Sequence, residues 1–111
     1  MRTAEEILNR KQKPVTVKES SVEKAVCDYA KGRGFLAYKF TSPQRRSVPD
    51  RMFISPAGTI FFIEFKAPGR KPTDAQFREI DKLRENKAVV FVADTTEKGI
   101  RMIDMMIALS K

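Results

Sequence analysis

The sequence predicts an α/β fold, a mixed central sheet flanked by helices, with the element order α-β-β-β-α-β-α. Three observations lead there. Short runs of β-branched and aromatic residues alternate with segments of helical periodicity. Two of the strand-like runs, 51–54 and 60–66, are joined by Ser55-Pro56-Ala57-Gly58-Thr59, a tight turn that makes them a hairpin. Another helix and strand follow the hairpin, and a mixed sheet with helices on its faces is the economical way to bury them all.

Each element has its own justification. Residues 1–18 are polar and include Lys11-Gln12-Lys13-Pro14, so they read as a flexible arm before one domain spanning 19–111. Ser20-Ser21-Val22-Glu23 opens the first helix as a capping box. Val22, Ala25, Val26, Tyr29 and Ala30 form its apolar face, and Gly32 and Gly34 end it. A strand over 35–40 and a loop over 41–49 lead into the hairpin. The basic loop Ala67-Pro68-Gly69-Arg70-Lys71-Pro72 follows. Thr73 caps a second helix, with Gln76 at the capping-box position and a core face of Phe77, Ile80 and Leu83. A buried strand over 88–93 and a helix from Thr95 or Thr96 to about Leu109 complete the chain. That last helix is apolar around most of its circumference. One face should bury in the monomer, and the apolar excess among Met102, Ile103, Met105, Met106, Ile107 and Leu109 suggests a partner chain. A homodimer is expected.

Composition narrows the function. The 111 residues carry 22 Lys+Arg against 14 Asp+Glu, a net charge of +8 with a pI near 9.9, which points to a polyanionic partner. No run approaches the roughly 18 apolar residues of a membrane span, so no membrane role is expected. The opening residues Met1-Arg2-Thr3-Ala4-Glu5-Glu6 lack the apolar stretch of a signal peptide. Cys27 is the only cysteine, and a reducing cytoplasm is the expected compartment. There is no histidine. This excludes nucleases with a histidine base, Ser-His-Asp triads and the usual zinc sites. Catalysis must rest on carboxylates, lysines or hydroxyls, and hard carboxylate oxygens favour Mg²⁺ or Mn²⁺.

One constellation meets that requirement. Asp50 stands where the first hairpin strand begins, after Pro49, and Glu64-Phe65-Lys66 closes the second. Side chains alternate along a strand, so Glu64 and Lys66 share one face while Phe65 points into the core. The hairpin folds Asp50 back beside Glu64. Two carboxylates so close repel each other unless a cation intervenes. A divalent ion there would stabilise phosphate charge and acidify a bound water, with Lys66 orienting or deprotonating that water. The Phe65 carbonyl, at the same strand edge, is a further candidate oxygen ligand. Glu64 and Lys66 interrupt an apolar run, Phe61-Phe62-Ile63 before them, where charge requires a reason.

These residues resemble the PD-(D/E)xK nuclease superfamily, and more closely its VRR-NUC (virus-type replication-repair nuclease) family. The family's elements are a glutamate in the first helix, a Val-Pro-Asp loop, a Glu-x-Lys strand and a glutamine opening the next helix. Glu23, Val48-Pro49-Asp50, Glu64-Phe65-Lys66 and Gln76 match them, from about Ser20 to Val92. Ser47 stands where the family usually has glycine; serine fits there if its φ is negative. The resemblance implies a restriction-endonuclease-like core and a Mg²⁺- or Mn²⁺-dependent endonuclease. Its metal ligands would be Glu23, Asp50, Glu64 and the Phe65 carbonyl. Asp50, Glu64, Lys66 and Gln76 would be the catalytic residues. It also implies a homodimer acting on branched DNA, such as a four-way junction, in a bacterial cell or phage-infected host. Glu23 and Gln76 each have a plain capping explanation beside the functional one. Arg45, Arg46, Arg70 and Lys71 lie in the loops flanking the site and are expected to contact phosphates. Tyr29, Tyr38 and Phe40 are read as core packing rather than base stacking. Two other readings compete: a sequence-specific restriction-type enzyme, and a basic nucleic-acid-binding module without chemistry.

Overall fold

The computed structural model describes residues 17–109, so the expected arm lies, but for Val17 and Lys18, outside the described residues. Helix α1 spans Glu19–Gly32, β1 Leu36–Lys39, β2 Arg51–Ile54, β3 Ile60–Phe65, α2 Asp74–Glu85, β4 Val90–Ala93 and α3 Thr96–Leu109. The sheet order is β1-β2-β3-β4. β1 pairs antiparallel with β2, and β2 with β3, whereas β3 and β4 run parallel. The sheet is therefore mixed, with α2 as the crossover between its parallel strands.

Local chemistry ends each element. Gly34, at φ +86°, closes α1: its N–H bonds to Lys31 and the next N–H, of Phe35, bonds to Ala30, the paired bonds of a glycine-terminated helix. The hairpin turn is held by Ser55, whose Oγ accepts from the Thr59 N–H and whose carbonyl accepts from the Gly58 N–H. Thr73 and Gln76 form the expected capping box, each side chain accepting from the other's backbone N–H. Among the described residues Lys87 is the only non-glycine at positive φ, so Ser47 sits in a backbone that serine adopts without strain.

The core lies on one sheet face, under α1 and α3. Val22, Val26, Cys27 and Ala30 from α1 and Ile103 and Met106 from α3 pack on Phe53, Phe61, Ile63, Phe65 and Ala93. Phe53 stacks on Phe61 at 5.3 Å, and Phe35 meets Phe61 edge-on at 6.0 Å. Gly99 lets the two helices touch: a Cβ there would stand 2.3 Å from Val26 Cγ2.

The opposite sheet face is only partly covered, and four expectations change there or at the helix starts. Helix α1 begins at Glu19 with Lys18 as its N-cap and no side-chain cap, so the Ser20–Glu23 capping box does not form. Of the expected α2 core face Ile80 is buried, but Leu83 is half-buried and Phe77 is exposed, because α2 meets the sheet chiefly at β4. Tyr38 is about half exposed rather than core, since nothing among the described residues covers the outer face of β1. Phe40 is half-buried against Phe62, and Tyr29 packs against the core with its hydroxyl donating to Asp104. On α3 one face is buried as expected, and Met105 and Leu109 remain exposed.

Candidate active site

The site forms where the N-terminus of α1 meets the start of β2 and the end of β3. The antiparallel register of β2 and β3 folds Asp50 back toward Phe65, whose N–H donates to Asp50 Oδ2 at 2.8 Å. That bond fixes the Asp50 carboxylate and brings the Phe65 peptide to the site. Glu64 lies on the outer sheet face and is fully buried, and neither of its carboxylate oxygens has a hydrogen-bond partner. Glu19 reaches in from the first turn of α1. Glu19, Asp50 and Glu64 each offer an oxygen, and these all lie within 4.8 Å of one another.

Such crowding alters the acidity of Glu64 and Glu19. Burial first, and then the adjacent Asp50 carboxyl, pushes Glu64 up to about 9, with Lys66 pulling the other way. Glu19 is also raised, by burial and then by Asp50, again opposed by Lys66. A buried carboxylate without donors, beside two others, is a poor arrangement for the protein alone and a good one for a hard divalent cation. Oxygen is the only donor type in the cluster, so the residues fit Mg²⁺ or Mn²⁺.

The structure departs from the expected ligand set at α1. Glu23 does not join the cluster; its Oε2 accepts from Arg51 Nε at 2.7 Å, with both side chains partly buried. Glu19, one turn earlier, takes the place beside Asp50 and Glu64. The reason is geometric: residues four apart share a helix face, and the one nearer the N-terminus reaches past the sheet edge to Asp50. The sequence signal was available, because Glu19 and Glu23 stand at i and i+4 and either could face the site.

Two clefts flank the carboxylates, and both include Glu19. One, of about 480 Å³, is lined by Lys39, Phe40, Arg45, Arg46 and Asp50 among others. The other, of about 400 Å³, is lined by Lys66, Arg70, Lys71 and Thr73 among others. All four arginines and lysines expected to meet phosphates thus border the site, and Lys39 joins them. Arg45 has a further tie: Nη1 donates to Glu79 Oε2 on α2 at 2.9 Å, and Glu79 is nearly buried. Gln76 lines neither cleft, and its side-chain oxygen is occupied by the Thr73 N–H. Asp94 accepts from the Gly69 N–H and from Lys98, pinning the loop that carries Arg70 and Lys71.

No protein-family model matches the chain. It is, however, 44% identical over 81 residues to "Putative nuclease p44" of Acyrthosiphon pisum secondary endosymbiont phage 1, covering 73% of this chain and 87% of that protein. A solved structure of a VRR-NUC domain superposes with a TM-score of 0.73 at 31% identity, covering 79% of this chain and 96% of the other. The chain belongs to the VRR-NUC family of nucleases. Its mixed four-stranded sheet with flanking helices is the VRR-NUC fold, and the restriction-endonuclease-like core expected from the motifs is met in it. In this VRR-NUC chain the Val48-Pro49-Asp50 loop and the Glu64-Phe65-Lys66 strand converge on the carboxylate cluster described above.

Proposed function

We propose that this chain is a Mg²⁺- or Mn²⁺-dependent endonuclease that hydrolyses DNA phosphodiester bonds and prefers branched DNA, such as a four-way junction. The observation that carries the reading is the buried, unpartnered Glu64 carboxylate beside Asp50 and Glu19, set between two cation-lined clefts. Glu19, Asp50, Glu64 and the Phe65 carbonyl would hold the ion, with Glu23 acting through Arg51. When bound, the cation would supply charge stabilisation at the phosphate and a water of lowered pKa. Lys66, on the same face as Glu64, orients the attacking water and offsets phosphate charge. Arg46, Arg70 and Lys71 grip the backbone on either side, without reading base sequence. Gln76 positions the start of α2 at the edge of the basic loop.

A homodimer suits this reading. Exposed Met105 and Leu109 on α3 and exposed Leu36, Tyr38 and Ile60 on the sheet offer apolar surface to a second copy. Two sites related by a two-fold axis would cut a symmetric junction in both strands. The setting we infer is the cytoplasm of a bacterial cell or phage-infected host, in keeping with the phage source of the relative.

The test is direct. Purified protein is incubated with labelled duplex, single-strand, flap and four-way-junction DNA in Mg²⁺, Mn²⁺ or EDTA. We expect metal-dependent cutting of a branched substrate, abolished in Asp50→Asn and Lys66→Ala. Equal cutting in EDTA, or full activity in both variants, would overturn the assignment of the site.

A further inference from the structure

Phe40 carries a second reading of the larger cleft. The β1–β2 ladder continues one step beyond its regular part, where the Phe40 N–H donates to the Asp50 carbonyl at 2.9 Å. Alternation places Phe40 on the same sheet face as Asp50 and Glu64. Its ring leans on Phe62, two residues before Glu64, with 5.1 Å between centroids and 52° between planes. The ring is half-buried and lines the cleft of about 480 Å³. Around it the wall is mixed: Val48 is apolar, Ser20, Thr41 and Ser42 bring hydroxyls, and Arg46 brings charge. Among the described residues no aromatic ring lines the cleft on the far side of Glu19, and Lys66, Arg70, Lys71 and Thr73 give it cations and one hydroxyl.

A strand laid across the carboxylates therefore meets two unlike flanks. Cations hold a phosphate backbone whether or not its bases are paired. An aromatic ring among hydroxyls, with room beside it, holds the face and edge of a base. A base inside a duplex is stacked and paired and cannot reach such a ring.

We propose that the cleft at Phe40 takes an unpaired nucleobase from a nucleotide on one side of the scissile phosphate. The enzyme would then select phosphodiester bonds beside a base freed from its partner, as at a flap or at the opened centre of a branched junction. This deepens the nuclease reading above and rests on it, so one arm of the test needs no cutting. In that arm, flap and single-strand oligonucleotides carry 2-aminopurine at successive positions and are bound in EDTA. Wild-type protein should quench one or two adjacent positions. Phe40→Tyr should keep the quenching. Phe40→Leu, which retains an apolar contact with Phe62 but no ring, should lose it. In the second arm, flaps carrying an abasic site at the same positions are cut in Mn²⁺. Loss of the base should slow wild-type cutting about tenfold, as should Phe40→Leu on the intact flap, and the two losses should not compound. No quenched position in a bound oligonucleotide, or equal quenching in Phe40→Leu, would overturn the proposal, as would failure to bind any oligonucleotide. Quenching at one position without cutting of any substrate would leave the base site standing and remove the nuclease reading.

Discussion

Burial strips Glu64 of water, and no protein donor replaces the hydrogen bonds it loses. The group answers by holding a proton: its pKa is about 9 in the fold against 4.5 in its ordinary state. Between those values the folded chain keeps a proton that the unfolded chain has released. The associated stability is fully present below the lower value and is lost as pH rises through the upper one. Thermal melts in EDTA should therefore show a melting temperature that declines from about pH 5 to about pH 9, and Glu64→Gln should flatten that decline. A cation binding at neutral pH must displace the same proton. Calorimetry in two buffers of different ionisation enthalpy should report about one proton released per ion. The two glutamates of α1 separate in a similar experiment. Glu19→Gln should weaken Mn²⁺ binding by about tenfold or more with little loss of stability. Glu23→Gln should instead leave the partly buried Arg51 guanidinium unpaired, lowering the unfolding free energy in a denaturant titration by about 1–2 kcal/mol. Were Glu23→Gln the variant that abolished metal binding while preserving stability, the roles drawn from the structure would be reversed.

At the scale of elements, the site depends on how α1 is held over the sheet. Its N-terminus must present Glu19 to Asp50, and its middle is pressed against α3 at Val26 and Gly99. A methyl group at Gly99 would overlap Val26 Cγ2, so Gly99→Ala should destabilise the fold by about 1–3 kcal/mol, read from the denaturant midpoint. Val26→Ala in the same chain should recover part of that loss, because it clears the space the methyl needs. Loops are held as deliberately as helices. Arg45 ties the loop leading to Asp50 onto Glu79 of α2, and Asp94 ties the basic loop onto the end of β4. A nearly buried Glu79 left without its arginine is costly, which favours Arg45 as a wall of the cleft over Arg45 as a free phosphate ligand.

At the scale of the molecule, charge and shape set what can bind. Arg45 and Arg51 pair with Glu79 and Glu23, and because each such pair is neutral the net charge of +8 is carried by the remaining basic groups. Arg46, Arg70 and Lys71 stay exposed beside the carboxylates. DNA affinity should therefore fall steeply with salt, and a combined Arg70→Ala and Lys71→Ala variant should reduce the slope of log K against log salt by about 2, measured by fluorescence anisotropy in EDTA. An unchanged slope would place the backbone contacts elsewhere.

Much of this architecture is legible in the chain itself, for reasons that are local. Periodicity, the Ser55-to-Thr59 turn, the Thr73–Gln76 capping box and the glycine at position 34 act over a few residues, and each element they predict is present. The convergence of Asp50 with Glu64 is equally local, because one tight hairpin brings them together. What the sequence could not decide was long-range. Whether Glu19 or Glu23 faces the cluster depends on the rotation and depth of α1 over the sheet, set by its packing against α3. Whether Tyr38, Phe40 and Phe77 are core or surface depends on how much of the outer sheet face α2 covers, and it covers chiefly β4. Local chemistry thus determined the elements and two of the three clustered carboxylates. Packing between distant elements alone decided the third carboxylate, the pairing of Arg45 and Arg51, and the aromatic wall of the cleft.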